Sequence, residues 1–445
     1  VARGTLTRVL AAALASLALS AGAVQASPVL MISLDGLRPD DVTQAQARGI
    51  KVPQLRALMQ EGAYASGVVG VLPTLTYPSH TTLITGAAPA RHGVSNNLTF
   101  DPQARNQQGW YWYASDIRVP TLWQIAHSAG LKTANLHWPV SVGADGIDAN
   151  LPQIWRTGTA DDAKLMAALA TPGLLPRLEA QLSPYVQGID ETVEGDAARV
   201  KFAQALLADR PALTTVYLAG IDHEEHRSGP GSPAAIATIE KTDALVGDLV
   251  SAARKAMPDV TVVVVSDHGF QPITTDINLF APFVAAGLIS LGADGKVSSW
   301  QAEPWIAGGT AFVVTARPDD AALTGQVTML VKKLAADPRY HIARVLDRAE
   351  TQRSGGPAEA VLTIAMEPGF ETGRDPAAAL SAPSGYKGMH GYMPDLPQMR
   401  STLIVSGPSL KKRGDLGVVD MRAIAPSVAR VLGVPMPSAE KPPVF

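Results

Sequence analysis

Largely apolar runs recur along the chain at Val29–Leu34 (VLMISL), Leu213–Leu218 (LTTVYL), 260–265 (VTVVVV) and 402–405 with its flanks (STLIVS). Each stops abruptly at polar residues or glycine, the pattern of a strand buried on both faces of a parallel sheet. Between them, apolar residues fall at helical spacing over 54–60, 121–128, 161–170, 198–207 and 233–257. In the last segment Ser232 is placed to cap, Pro233 opens the first turn, and Ile236, Ile239, Val246, Leu249 and Ala253 form one stripe. This alternation predicts an α/β fold, a mostly parallel central sheet with helices on both faces. Such sheets bind ligands at the carboxyl ends of their strands.

After Phe270 the pattern changes. A hairpin is expected around Ala293-Asp294-Gly295, a strand at Thr310–Thr315 and a helix at 320–335. We read 271–385 as an inserted cap region, leaving 27–270 and 386–445 as the main body. At the other end, Arg3 and Arg8 precede an apolar, small-residue run at 9–23 and Val24-Gln25-Ala26. That three-part build predicts a secretory signal peptide over 1–26, too short and too rich in Ala and Ser for a membrane anchor. The expected location is periplasmic or secreted, with no transmembrane anchor after cleavage.

Composition narrows the chemistry. The chain has 445 residues, 46% hydrophobic and 17% charged, with a formal net charge of −3 and no long basic run. A globular core follows, and a nucleic-acid partner is not expected. Cysteine is absent, which removes disulfides, thiolate metal sites and a cysteine nucleophile. Any metal must be held by nitrogen and oxygen.

The acids and histidines fall at informative places. Asp35 follows the first strand, Asp222 and His226 follow LTTVYLAGI, and Asp267 and His268 follow VTVVVVS. Three predicted strands thus deliver carboxylates and imidazoles to one sheet edge, a donor set suited to zinc and similar divalent ions. The spacing Asp222-x-x-x-His226 puts both side chains on one side of a helical turn, with His223 pointing elsewhere. His127, His137 and His341 have no acidic companions in the sequence and are read as structural; His80 and His92 stay undecided. Taken singly, each acid has the plainer reading of a helix cap or solvated loop residue. In VLPTLTYPSHTT (71–82), Pro78 reads as a helix start, which puts Thr76 just ahead of the helix N-terminus. A threonine hydroxyl there is either an N-cap or, with a metal or base beside it, a nucleophile.

The stretches LMISLDGLRPD, PTLTYPSHTTLITGAAPARHGVSNN, AGIDHEEHRSGPGS, VVSDHGF and KGMHGY resemble, in order, the nucleotide pyrophosphatase/phosphodiesterases of the alkaline phosphatase superfamily. The resemblance implies two zinc ions per chain, one held by Asp35, Asp267 and His268 and the other by Asp222, His226 and His390. Thr76 would be the nucleophile, also facing the metals, and Asn97, with the Tyr77 backbone N–H, would contact a phosphoryl oxygen. The implied reaction cleaves a small-molecule phosphodiester or nucleotide pyrophosphate through a phosphothreonine intermediate. Two departures stand out: Ser79 replaces the family's usual Asn after proline, and the segment after Trp138-Pro139 offers Trp155 but no second tyrosine. Tyr77 and Trp155 remain as an expected aromatic clamp for the substrate. The alternatives are a phosphomonoesterase or phosphonate hydrolase of the same superfamily, or a non-catalytic protein that binds zinc or phosphate.

Overall fold

The computed structural model describes residues 26–106, 109–155 and 157–445, so the expected signal peptide lies, but for Ala26, outside the described residues. The main sheet has eight strands: β1 (Val29–Leu34), β2 (Ala63–Tyr64), β3 (Thr133–Leu136), β4 (Ala149–Leu151), β5 (Leu213–Leu218), β6 (Thr261–Val265), β7 (Leu403–Ser406) and β8 (Gly414–Asp415). Their spatial order is β8-β2-β7-β6-β1-β5-β3-β4. β6, β1, β5, β3 and β4 run parallel, while β7 is antiparallel to both β6 and β2. β1 lies in the middle, Met31 facing Thr215 on one side and Val263 on the other.

Why β1 is apolar at every position but Ser33 is visible in its packing. Leu30, Ile32 and Leu34 enter a core with Leu55, Leu206, Ile239 and Leu249, whereas Val29 and Met31 enter one with Ile84, Trp138, Ile424 and Val428. Successive side chains leave on opposite faces, and helices cover both.

Four helices frame the strand ends: α1 (Thr76–Thr85), α2 (Val193–Leu207), α3 (Gly220–Ser228) and α4 (Pro233–Ala256). α4 starts as its sequence predicts, with the Ala235 N–H donating to Ser232 Oγ at 3.2 Å. α2 begins ahead of the predicted 198, because Thr192 caps it by accepting from the Gly195 N–H. α1 differs in a way that matters for the site. Thr76 is its first residue and makes no capping bond; extended Leu75 stands before it. Pro78 sits within the first turn, where its missing N–H has no intrahelical acceptor to satisfy, so it need not mark the first residue.

The segment after Phe270 forms an antiparallel sheet of strands Ala302–Ala307, Thr310–Thr315, Ala360–Met366 and Ile342–Asp347, in that order, with helix Ala321–Ala335. The expected hairpin joins Ile289–Leu291 to Val297–Trp300, with Gly295 at φ 75° in its turn. This region's apolar core also takes in Met389, Tyr392 and Met399.

Candidate active site

Asp35 and Asp267 leave the carboxyl ends of neighbouring strands β1 and β6, and the Gly36 N–H donates to Asp267 Oδ1 at 3.1 Å. Gly36 has φ 74°, and a Cβ there would lie 2.9 Å from the Phe270 ring. Only glycine fits this turn. β5 hands the chain to α3, where Asp222 and His226 stand one turn apart. His390 comes from far along the sequence: Gly388 and Met389 pair with Pro272 and Gln271 just beyond His268. The Gly391 N–H then donates to the Thr74 carbonyl at 2.9 Å.

The result is two clusters, Asp35/Asp267/His268 and Asp222/His226/His390, each with its ligand atoms within 4.8 Å of one another. His268 Nε2 lies 3.4 Å from Asp35 Oδ1 and 3.1 Å from Asp267 Oδ2. His226 and His390 each place Nε2 at 3.5 Å from Asp222 Oδ1. The clusters adjoin, since the His268 and His390 rings stack with centroids 3.6 Å apart.

These residues fit divalent ions on three counts. Asp35 Oδ1, Asp222 Oδ1 and Asp267 Oδ2 are buried without a hydrogen-bond partner among the described residues, and native structures rarely leave such acceptors empty. His390 Nδ1 faces the Thr74 carbonyl and His226 Nδ1 the Gly388 carbonyl, both at 3.0 Å. A carbonyl only accepts, so Nδ1 carries the proton and the Nε2 lone pair turns into the cluster. Burial, reinforced for Asp35 and Asp222 by the charge of Asp267, holds both carboxyls well above the usual carboxylate range. Burial also lowers His226 to about 3 and His390 well below an ordinary imidazole. Crowded carboxylates beside neutral imidazoles are a set that a cation would stabilise.

Thr76 opens α1, with Oγ1 3.5 Å from His268 Nε2. At that position the helix dipole favours an anion. The Tyr77 N–H is already engaged, donating to Asn97 Oδ1 at 3.0 Å. Because the backbone group can only donate, Oδ1 is fixed as the acceptor, and the Asn97 NH2 remains for an oxyanion. The Tyr77 N–H, expected at a phosphoryl oxygen, is thus taken up by Asn97. Asn97 is itself held through its neighbour, whose Nδ2–H donates to the Ile306 carbonyl at 3.0 Å.

The expected aromatic clamp also changes. The Tyr77 ring is fully buried and its hydroxyl donates to Gln153 Oε1 at 2.6 Å, so it offers no stacking face. It backs Trp110 (centroids 5.5 Å apart), which in turn packs on the half-buried Trp155 at 4.8 Å. Trp110 was not read from the sequence; the aromatic run Trp110-Tyr111-Trp112-Tyr113 was its signal. Ser79 is buried, its Oγ without a hydrogen-bond partner among the described residues.

Two further residues escaped the sequence reading. Asp196, in α2, accepts from the Ala219 and Gly220 N–H groups, both at 2.9 Å, and so holds the start of α3. It is paired with fully buried Arg199. The guanidinium lies 6.0 Å from the Tyr217 ring, and the Tyr217 hydroxyl donates to Asp35 Oδ2. Among the histidines, His223 turns away to Glu191 as expected. His127 and His341, however, do have acidic companions, Asp148 and Glu367, supplied by other segments. His80 is buried between Ser33 Oγ and the Thr76 carbonyl, both at 2.8 Å. His92 accepts from the Val94 N–H and packs on Thr82.

A doubly covered α/β sheet with two nitrogen–oxygen clusters and a helix-initial threonine at its strand ends is the alkaline-phosphatase-like architecture. Residues 29–393 match the family described as type I phosphodiesterase / nucleotide pyrophosphatase, and the chain belongs to that family. It is 24% identical over 258 residues to mouse ectonucleotide pyrophosphatase/phosphodiesterase family member 1, covering 56% of this chain and 24% of that one. Against an uncharacterised pyrophosphatase/phosphodiesterase of Schizosaccharomyces pombe it is 27% identical over 262 residues, covering 57% and 46%. The chain thus spans less than half the length of these relatives. Human ectonucleotide pyrophosphatase/phosphodiesterase 5 superposes with a TM-score of 0.63 at 17% identity, covering 92% of this chain and 96% of that one. The murine protein matches equally in an inactive threonine-to-alanine form in complex with AMP.

Proposed function

We propose that this protein hydrolyses phosphodiester or pyrophosphate bonds of small nucleotides through a phosphothreonine intermediate on Thr76, releasing nucleoside monophosphates. The observation that carries the reading is the place of Thr76: first residue of a helix, its hydroxyl against His268, where the two acid–histidine clusters meet. Asp35, Asp267 and His268 would hold one zinc ion, and Asp222, His226 and His390 the other. Bound ions supply a lower hydroxyl pKa and neutralise charge on the departing oxygen.

The rest is done by the chain. Thr76 Oγ1 forms the new bond to phosphorus as the bond to the leaving group breaks, and water later cleaves the phosphothreonine. The Asn97 NH2 and the α1 dipole face charge on the phosphoryl oxygens. Trp110 and Trp155 supply the apolar surface for a base. The family membership and the AMP complex of the murine structural relative support a nucleotide substrate. We take 271–385 as a cap over the body formed by 27–270 and 386–445. The pattern of residues 1–26 supports action outside the cytoplasm; among the described residues no helix is long and apolar enough to cross a membrane.

The test compares bis-p-nitrophenyl phosphate with p-nitrophenyl phosphate, with and without chelator. Faster turnover of the diester, abolished by chelation and restored by zinc, is expected. Faster turnover of the monoester would favour the phosphomonoesterase alternative.

A further inference from the structure

A cavity of about 620 Å³ lies at the seam between the 98–104 loop and the cap, well inside the range of about 300–1,000 Å³ typical of small-ligand pockets. None of the residues of the two clusters lines it. Its walls include the aromatic rings of Phe100, Trp305 and Phe280, with the carboxylates of Asp101 and Glu303 among them. Phe100 meets Trp305 at 5.6 Å and Trp300 at 5.2 Å, both near edge-on. The loop is fastened to the cap at both ends: Trp305 Nε1–H donates to the Leu98 carbonyl at 3.1 Å, and Gln103 Nε2–H to the Ser298 carbonyl at 2.6 Å.

Glu303 is the unexplained group. It stands on strand Ala302–Ala307, on the same face as Trp305, two residues along. It is 6% exposed, and its Oε2 is buried with no hydrogen-bond partner among the described residues. The basic residues lining the cavity, Lys296 and Arg374, are exposed at its edge. Burial first, and then the charge of Asp101, push the Glu303 carboxyl up to about 8. A buried carboxylate oxygen placed for structure alone acquires a donor, and Glu303 Oε2 has none among the described residues.

We propose that this cavity is a second binding site, distinct from the metal clusters, for a small organic ammonium ion with an apolar body. The ammonium would pair with Glu303 and Asp101, and the body would lie on Phe100 and Trp305. A cation suits the site better than a neutral donor. Two carboxylates face one space, and aromatic faces attract positive charge, the more so when water is excluded.

The probe is benzyltrimethylammonium, titrated into the full chain by calorimetry and tryptophan fluorescence, with benzyl alcohol as the uncharged aromatic control. Saturable one-to-one binding is expected, weakened roughly tenfold or more in Glu303→Gln and also weakened in Asp101→Asn. Asp101 lies in a surface loop, so its variant tests the site even if Glu303→Gln does not fold. Circular dichroism and turnover of bis-p-nitrophenyl phosphate should be unchanged in both. Absence of saturable binding, equal binding by wild type and the folded variants, or equal binding of benzyl alcohol would overturn the proposal. The readout is binding, so these outcomes leave the phosphodiesterase reading untouched.

Discussion

Removing the Thr76 hydroxyl takes away one oxygen from a residue whose backbone, not its side chain, starts α1. Thr76→Ala should therefore leave folding and metal content intact. It should lower kcat on a diester by roughly three orders of magnitude or more, about 4 kcal/mol at the transition state. Thr76→Ser should keep a measurable part of the rate; an alanine variant with wild-type kinetics would remove Thr76 from the mechanism. His92 supports a prediction of a different kind. Burial lowers its pKa from 6.5 to about 3, and its Nδ1 accepts a backbone N–H, a bond the protonated ring cannot make. The folded state disfavours protonation, so stability is full above the unfolded value of 6.5 and is lost as pH falls toward about 3. Between pH 7 and pH 5 this one group should cost about 2 kcal/mol. Denaturant unfolding of wild type and His92→Gln at both pH values checks this; parallel pH dependences would refute it.

The elements matter here through what they hold in place. α3 carries Asp222 and His226, and its first N–H groups are met by a carboxylate from another helix, Asp196, which is itself neutralised by Arg199. Asp196→Ala would leave Arg199 buried without its counter-charge and the start of α3 unheld. We expect a loss of about 3–5 kcal/mol in unfolding free energy, read from urea denaturation of the metal-free protein. A change within experimental error would mean that α3 is positioned by its packing alone. Sequence periodicity finds the helices but not this contact. Asp196 looks like any acid in a first turn, and its partners, Ala219 and Gly220, contribute only backbone.

For the whole molecule, the two clusters predict close to two zinc ions per chain by elemental analysis. His390→Ala should reduce that to about one, because it strips one imidazole from the Asp222/His226 cluster. Unchanged metal content in that variant would show that His390 is not a ligand. Diester turnover should follow metal content through chelation and reconstitution.

Much of this architecture is written locally. A strand buried on both faces is apolar or small at nearly every position, so β1 and β5 are legible to the residue. α4 announces itself by Ser232, Pro233 and a single apolar stripe. The order of strands and loops likewise puts Asp35, Asp222, His226, Asp267 and His268 at one sheet edge. Tertiary structure decided what depends on residues far apart in sequence. It buried the Tyr77 ring against Gln153 and packed Trp110 on Trp155. It also engaged the Tyr77 N–H with Asn97, and gave His127 and His341 their carboxylates. Local pattern records which side of an element is apolar, because that is set by the element's own period. Which donor meets which acceptor is set by how separate elements pack, and a single chain's pattern does not record it.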